Sequence, residues 1–401
     1  MVASRHTLDD ARVVHKEAHT LRAAGHEVVL LFSCDREYRF TRHDGRVIAT
    51  GTAPHGETEH LGFRVLGVPR RHGPAGRWQR YRALARLAAA VQADVYHAHE
   101  PDLALAVALR ARRMLAGQGR RALVVHDMHE YPPGGTVDTL PRWVKRPAHA
   151  ALVGWDWSTN RRVDHIFTAN SVVRGYAQVL APTTSVDVLY NGPALRLFRQ
   201  SPIQPWPGPG HPFVLCHEGS LGFNRGLREM VSAVEQLRDR VRLMIIGDVF
   251  GAEREWLDRE LDSRGLHQTV VRTGWLPYAE VGDALRGSHA GLILFRECLT
   301  NTLAGPPNKL FNYMNAGLPV LSLGFPEMRR IIREEGCGVL VDDQSVLAIV
   351  RGIEELLRSP EELACMGHAG QRAVRERYSW DRMERVLLSA YGDLEVRLRQ
   401  G

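Results

Sequence analysis

The sequence predicts an α/β protein of two similar domains, each a parallel sheet whose strands alternate with helices. Three observations predict it. Short runs rich in Val, Ile and Leu alternate with amphipathic segments along the chain, the pattern of repeated βα units. The length, 401 residues, exceeds what one hydrophobic core usually supports. The stretch Gly305–Val320, GPPNKLFNYMNAGLPV, joins a loop, a helix start and a strand in the order that builds an anion site. Pro306 and Pro307 suit a loop and a first helical turn, where a missing N–H costs nothing. Leu310, Phe311 and Met314 form one apolar stripe, and Gly317 stands where a left-handed cap ends the helix. Free amides and the helix dipole then favour an anion, and Lys309 adds a full charge.

Met1–Ser4 read as the end of a strand whose start would lie upstream. Asp9 or Asp10 can cap a helix with Val14, Ala18 and Leu21 on one face, ended by Gly25. HEVVLLF, FRVLGV, DVYHAH and ALVVHDMHE follow as strands separated by helices. Arg70–Arg86 carries seven basic residues counting His72, interleaved with Trp78, Tyr81 and Leu84. It reads as a solvated helix face with an aromatic anchor, and secondarily as a weak peripheral membrane contact through acidic headgroups. A helical segment with Trp155 and Trp157 leads to DHIFTAN and VDVLYNGP. QSPIQPWPGPGHP then has the composition of a linker, which divides the chain into residues 1–200 and 201–379.

The second series starts at FVLCHEGS. Leu227, Met230, Val231, Val234 and Leu237 give the next segment a helical period, and VRLMIIGD, VVRTGW, AGLILF, PVLSL and CGVLV read as strands. The final segments are helical with no strand between them. Sheets of this kind bind ligands at the carboxyl ends of their strands, so two facing sheets would bind between the domains.

Net charge is +7, but acids are scattered among the arginines, which favours a small anionic ligand over nucleic acid. Lysine occurs only at positions 16, 145 and 309, which draws attention to Lys309 in a chain otherwise built on arginine. Five widely spaced cysteines show neither zinc nor redox-pair spacing, and no apolar run has the length of a signal peptide or membrane span. Reduced thiols and a cytoplasmic location are the expectation.

His97 and His99 share a strand face, which leaves a metal pair open without a third ligand in view. Asp127 and Asp248 each read as isolated, so no acid pair suits magnesium. GSLGFNRGL follows a strand and ends at a helix start, so its amides and Arg225 can approach a diphosphate.

Taken in order, DARVVHKEAHTLRAAGHEVVLL, HAHEPD, HDMHE, YNGP, GSLGFNRGL, IIGD, TGWLPYAEV, PNKLFNYMNAGLPV, GCGVLVDD and RYSW resemble the retaining GT-B glycosyltransferases of family 4. The resemblance covers nearly the whole chain. It implies two Rossmann-like domains facing across a cleft, with a last helix, residues 380–401, crossing back to the first. The second domain would hold a nucleoside-diphosphate sugar and the first an acceptor, without metal or other cofactor.

On this resemblance the catalytic residues are His129, Arg225 and Lys309. Donor binding falls to Gly219, Ser220, Gly222, Arg225, Gly247, Asn308, Lys309, Leu310 and Asn312. The acceptor side comprises His6, Asp10, His99 and Glu130. The chain departs from the family at Ser220, where an Arg is common, at Ala304 and Asn312, where two glutamates are common, and at His6, Thr7 and Leu8, which replace a glycine pair. These departures imply an altered acceptor pocket or an unusual sugar, or else a catalytically silent sugar-nucleotide-binding subunit.

Overall fold

The computed structural model describes residues 1–400 except Arg5, His43, Asp44, Arg71, His72, Pro101, Asp102, Ser201, Pro205, Phe223, Asn224, Leu299, Thr300, Thr302 and Ala304, and leaves aside the side chains of Tyr278 and Ala279. Ala304, two residues of the Gly-rich turn and Arg71 and His72 of the basic stretch therefore lie outside the described residues. The chain forms two compact units, Met1–Leu189 with Met383–Gly401, and Tyr190–Arg382.

In the first unit the strand Val29–Cys34 pairs in parallel with Phe63–Pro69, whose other edge carries the antiparallel Thr58–His60. A second parallel group runs Val95–His99, Leu123–Met128, His165–Thr168, Ser185–Val188. Val2 joins the groups by bridging Leu31 on one side and Ala98 on the other. The Val2 amide donates to the His97 carbonyl at 2.7 Å, and the His99 amide donates to the Val2 carbonyl at 2.9 Å. Counting Val2 as strand one, the parallel order is 3-2-1-4-5-6-7. The direction of winding reverses beside Val2, and such a reversal opens a crevice at the carboxyl ends.

The second unit contains six described strands in the order Val270–Arg272, Val241–Ile246, Phe213–Glu218, Ala290–Ile293, Val320–Leu323, Gly338–Val341, all parallel. That is the 3-2-1-4-5-6 winding, with its reversal between Phe213–Glu218 and Ala290–Ile293. Leu215, Leu243, Leu292 and Leu321 are fully buried between the layers. The helix Asn308–Ala316 begins after Pro307 and ends on Gly317 at φ +76°, as its sequence requires. Leu310, Phe311 and Met314 face the core.

The structure departs from the expected pattern in four places. The division falls at Leu189 and Tyr190 rather than in the Pro/Gly-rich stretch, because Trp206 is buried against Phe213 at 5.3 Å and ties that stretch to the second unit. Trp78 does not anchor its helix, Gly73–Val91, since it is 60% exposed, its ring tilted against Tyr81. A hairpin, Arg39–Thr41 with Val47–Thr50, was hidden by its mixed polar composition. The first helix opens as a widened turn over Val13–Ala18 before continuing as His19–Ala23. Among the described residues no helix is long and apolar enough to cross a membrane, and the five cysteines form no disulfide.

Candidate active site

In the second unit, the two strands flanking the winding reversal deliver the first components. Phe213–Glu218 ends at Gly219, and Ala290–Ile293 runs on to Phe295. The Arg225 guanidinium carbon lies 4.3 Å from the Phe295 ring centroid, and Lys309 Nζ lies 5.3 Å from the same centroid. Two cations, one from a loop and one from the first turn of a helix, thus converge on one aromatic ring. No side chain caps the helix that begins at Asn308, so its dipole adds to them.

Lys309 is almost fully buried, and Nζ donates to His217 Nε2 at 2.9 Å. Burial, partly offset by Glu218 and reinforced by Arg225, pushes the Lys309 ammonium down to about 7. Burial and the same two cations hold His217 well below the usual imidazole range, so it remains a neutral acceptor. An incoming dianion would reverse the pressure on Lys309.

The glycines act differently from one another. Gly219 adopts φ +91°, and a Cβ there would stand 3.7 Å from Lys309 Nζ. Its amide already donates to the Ile246 carbonyl, so Gly219 contributes open space rather than a donor. Gly247 would bring a Cβ within 2.7 Å of the Gly219 carbonyl, which makes it a support for the turn. Gly222 faces open space, and Ser220 and Asn308 are exposed. Leu310 does not line the site: its side chain is in the core and its amide donates to the Pro307 carbonyl.

Asn312 is buried, and its Nδ2 donates to both Glu218 oxygens, at 2.9 and 3.1 Å. The Glu218 amide donates to Tyr313 Oη at 2.7 Å, which fixes the backbone of that residue. A carboxylate therefore stands beside the two cations although position 312 has none. Sequence reasoning missed Glu218 because it reads as the last residue of a strand.

The first unit's site also gathers at the carboxyl ends beside the reversal. Arg12 Nε and Nη2 donate to the two Asp127 oxygens at 2.9 and 2.7 Å, and Nη1 donates to the Leu189 carbonyl. The widened turn sets Arg12 and Glu17 on one side, where Nε also meets Glu17 Oε1 at 2.8 Å. Burial opposes ionisation of Asp127, but Arg12, then His129 and His99, hold its carboxyl well below the usual range. Burial and the neighbouring Asp127 push the Glu17 carboxyl well above it. Asp127 is thus not isolated: it is the charged member of a buried carboxyl pair.

His129 lies 2.8 Å from Asp127 Oδ2, 3.3 Å from His99 Nδ1 and 3.7 Å from Glu100 Oε1. It reaches partial exposure, at 13%. His6 stands against it, ring centroids 4.9 Å apart, and pairs with Asp10 at 2.8 Å. Asp10 also accepts from the Arg12 and Val13 amides, so it caps the widened turn, while Asp9 pairs with Arg42. Glu130 is exposed. His99 is buried, and burial lowers its pKa to about 3. It lies beneath His129, away from the surface.

Glu17 and Asp127 lie close enough to His97 and His99 to supply the additional metal ligands that the spacing lacked. The imidazoles, however, stack at 4.6 Å and 15°. A metal ligand's lone pair lies in its ring plane, so two stacked rings do not point at one ion. His97 Nδ1 is taken by Tyr391 Oη of the helix Trp380–Arg399 at 2.9 Å.

A family model described as Glycosyl transferase 4-like domain matches residues 11–192, and one described as Glycosyl transferases group 1 matches residues 212–359. The chain belongs to the GT4-like glycosyltransferases of GT-B fold. A lipopolysaccharide core biosynthesis glycosyltransferase of Rhizobium meliloti is 26% identical over 192 residues, 46% of this chain and 50% of that one. The chain spans about half the length of the curated relatives it matches. Sucrose-phosphate synthase from Thermosynechococcus elongatus superposes with TM-score 0.70 at 15% identity, over 94% of this chain and 91% of that one. Anabaena Alr3699/HepE, solved with UDP-glucose, gives TM-score 0.64 at 15% identity, over 83% and 86%. Within this GT4-like chain, both polar centres lie where a Rossmann-like unit binds ligands.

Proposed function

We propose that this GT4-like protein transfers a sugar from a nucleoside diphosphate to an acceptor hydroxyl with retention of configuration and without metal. The observation that carries the reading is the convergence of Lys309 and Arg225 on Phe295, beside Gly219 and an uncapped helix start. Breaking a sugar–phosphate bond leaves charge on the diphosphate, and preorganised cations in a low-dielectric site stabilise that charge as it develops. Glu218 suits the neighbouring ribose: a carboxylate beside phosphate-binding cations repels phosphate but accepts hydrogen bonds from a diol.

On the acceptor side, His129 is held between Asp127 and Glu100 and hydrogen-bonds a sugar or acceptor hydroxyl. Its role is orientation, not nucleophilic attack. The acceptor approaches from the face that the diphosphate leaves, and a phosphate oxygen takes its proton. The donor complex of Alr3699/HepE supports a nucleotide sugar as donor, and the unpaired thiols fit a cytoplasmic setting. The exposed Trp78 and the exposed arginines of its helix, which carries no acid, favour a secondary membrane contact there. The silent-subunit reading rested on Asn312 and Ser220; Glu218 supplies the carboxylate that Asn312 lacks, and nothing among the described residues replaces the arginine absent at Ser220.

A panel of nucleoside diphosphates tests the donor site by thermal unfolding. Ligand at a hundred times Kd adds about 2.7 kcal/mol, and no response to any common nucleoside diphosphate overturns the reading. Slow hydrolysis of the matching nucleotide sugar, undiminished by EDTA, then separates a metal-independent enzyme from a silent subunit.

A further inference from the structure

The helix Arg142–Asn160 has nineteen residues, yet only Asp156, Thr159 and Asn160 are buried. Its inner side is held by polar contacts: His149 meets Tyr131 Oη at 2.7 Å, and Asp156 accepts from Tyr176 Oη at 2.7 Å. Its outer side is apolar. Trp143, Pro147, Ala150, Gly154 and Trp157 follow the four-three spacing of one helical face, and every one is exposed. Trp143 is 83% exposed, Trp157 47%, and Trp155 at the edge of the stripe 50%. Trp143 and Trp157 stand about 21 Å apart along the axis at 1.5 Å per residue.

Charge decides what this face fits. Arg142 and Arg146 flank its first turn and Arg161 and Arg162 its end, all exposed. Arg161 lies 4.3 Å over the Trp157 ring. The only acid from 142 to 162 is Asp156, which is buried. A second copy of the chain would bring arginines against arginines. An anionic bilayer instead accepts the indoles at the headgroup level and offers phosphates to both ends of the stripe.

We propose that the face of Arg142–Asn160 bearing Trp143 and Trp157 docks this protein on anionic membrane surfaces, with the helix lying along the interface. This does not depend on the nucleotide reading. It places the first unit against lipid by a helix other than Gly73–Val91.

The test is co-sedimentation of the full chain with vesicles of phosphatidylcholine alone or with about one-third phosphatidylglycerol. Anionic vesicles pellet the wild type, with a blue shift in tryptophan emission, and raising salt from about 0.1 to 0.5 M weakens binding several-fold. Trp143→Ser with Trp157→Ser lowers partitioning at least about tenfold, and Arg142→Gln with Arg146→Gln lowers it several-fold. Unfolding temperature and the nucleotide-induced shift stay at wild-type values in both variants, which separates lost docking from lost folding or lost donor binding. Three results overturn the proposal: no wild-type binding to anionic vesicles, variants that bind like wild type because another helix carries the contact, or a wild-type dimer that the tryptophan substitutions abolish.

Discussion

The two units wind their sheets in the same order and place polar centres at equivalent ends, yet the centres have opposite character. In the second unit Lys309 and Arg225 face one ring, and the nearby acid, Glu218, is turned onto Asn312. In the first, Arg12 is spent on Asp127 and Glu17, and histidines fill the remaining contacts. One centre gathers two cations around one ring. The other pairs its buried charges with one another, and its partly exposed rim carries both histidines and acids, His129, His6, Glu100 and Asp10. Topology sets where each polar centre lies, and the charge balance of the strand ends sets its character; on the proposed function the second unit would take the anion and the first the acceptor hydroxyl.

The sharpest way to break this comparison is to remove the neutralising partner in the first unit. Asp127→Ala leaves Arg12 buried with less compensation and lowers stability by about 3–5 kcal/mol, measured by denaturant unfolding. An unchanged midpoint would mean that Arg12 is not held as described. In the second unit, Lys309→Ala and Arg225→Ala each lower kcat by about a hundredfold while leaving stability near wild type. Equal rates for either variant remove it from the leaving-group site.

The protonation of Lys309 can be read directly. Lys309 is pushed down to about 7, so between that pH and the ordinary lysine range the unfolded chain carries the extra proton. Stability of the unliganded protein therefore rises with pH across that window. A diphosphate favours the ammonium, so binding at pH 8.5 takes up close to one proton, measured by calorimetry in buffers of different ionisation enthalpy. Lys309→Arg, permanently charged, abolishes the uptake; uptake that persists in this variant assigns the proton elsewhere. The smallest expected effect concerns the displaced carboxylate. Asn312→Glu alone sets two acids against each other and costs about 1.5 kcal/mol through the lost charge-assisted hydrogen bond. Adding Glu218→Gln restores most of it and keeps the preference for ribose over deoxyribose diphosphates.

Much of the architecture was legible because it is written in short-range pattern. Runs such as VRLMII and PVLSL mark buried parallel strands, and Pro307 and Gly317 bracket their helix by dihedral preference alone. Lys309 was legible because a helix start and a scarce residue coincide. Arg12 and Glu17 were not: their meeting needs a widened turn that helical periodicity does not signal, and their partner Asp127 lies 115 residues from Arg12. Glu218 was hidden for a related reason, since only the folded sheet brings it to Asn312, 94 residues away. Trp78 shows the converse failure. An aromatic at helical spacing predicts a helix, but spacing does not say which side finds a core.

Val2 has a wider consequence. Val2 hydrogen-bonds to the strand Val95–His99 while its neighbours Met1 and Ala3 hydrogen-bond to Leu31, so three residues stitch the first unit's two strand groups together, and the segment that follows carries His6 and Asp10. Selection can rewrite those few positions without touching any of the longer strands that hold the scaffold. On the proposed function, acceptor preference would then diversify through the segment that follows Val2, much as a key is recut at its tip while the shank is kept.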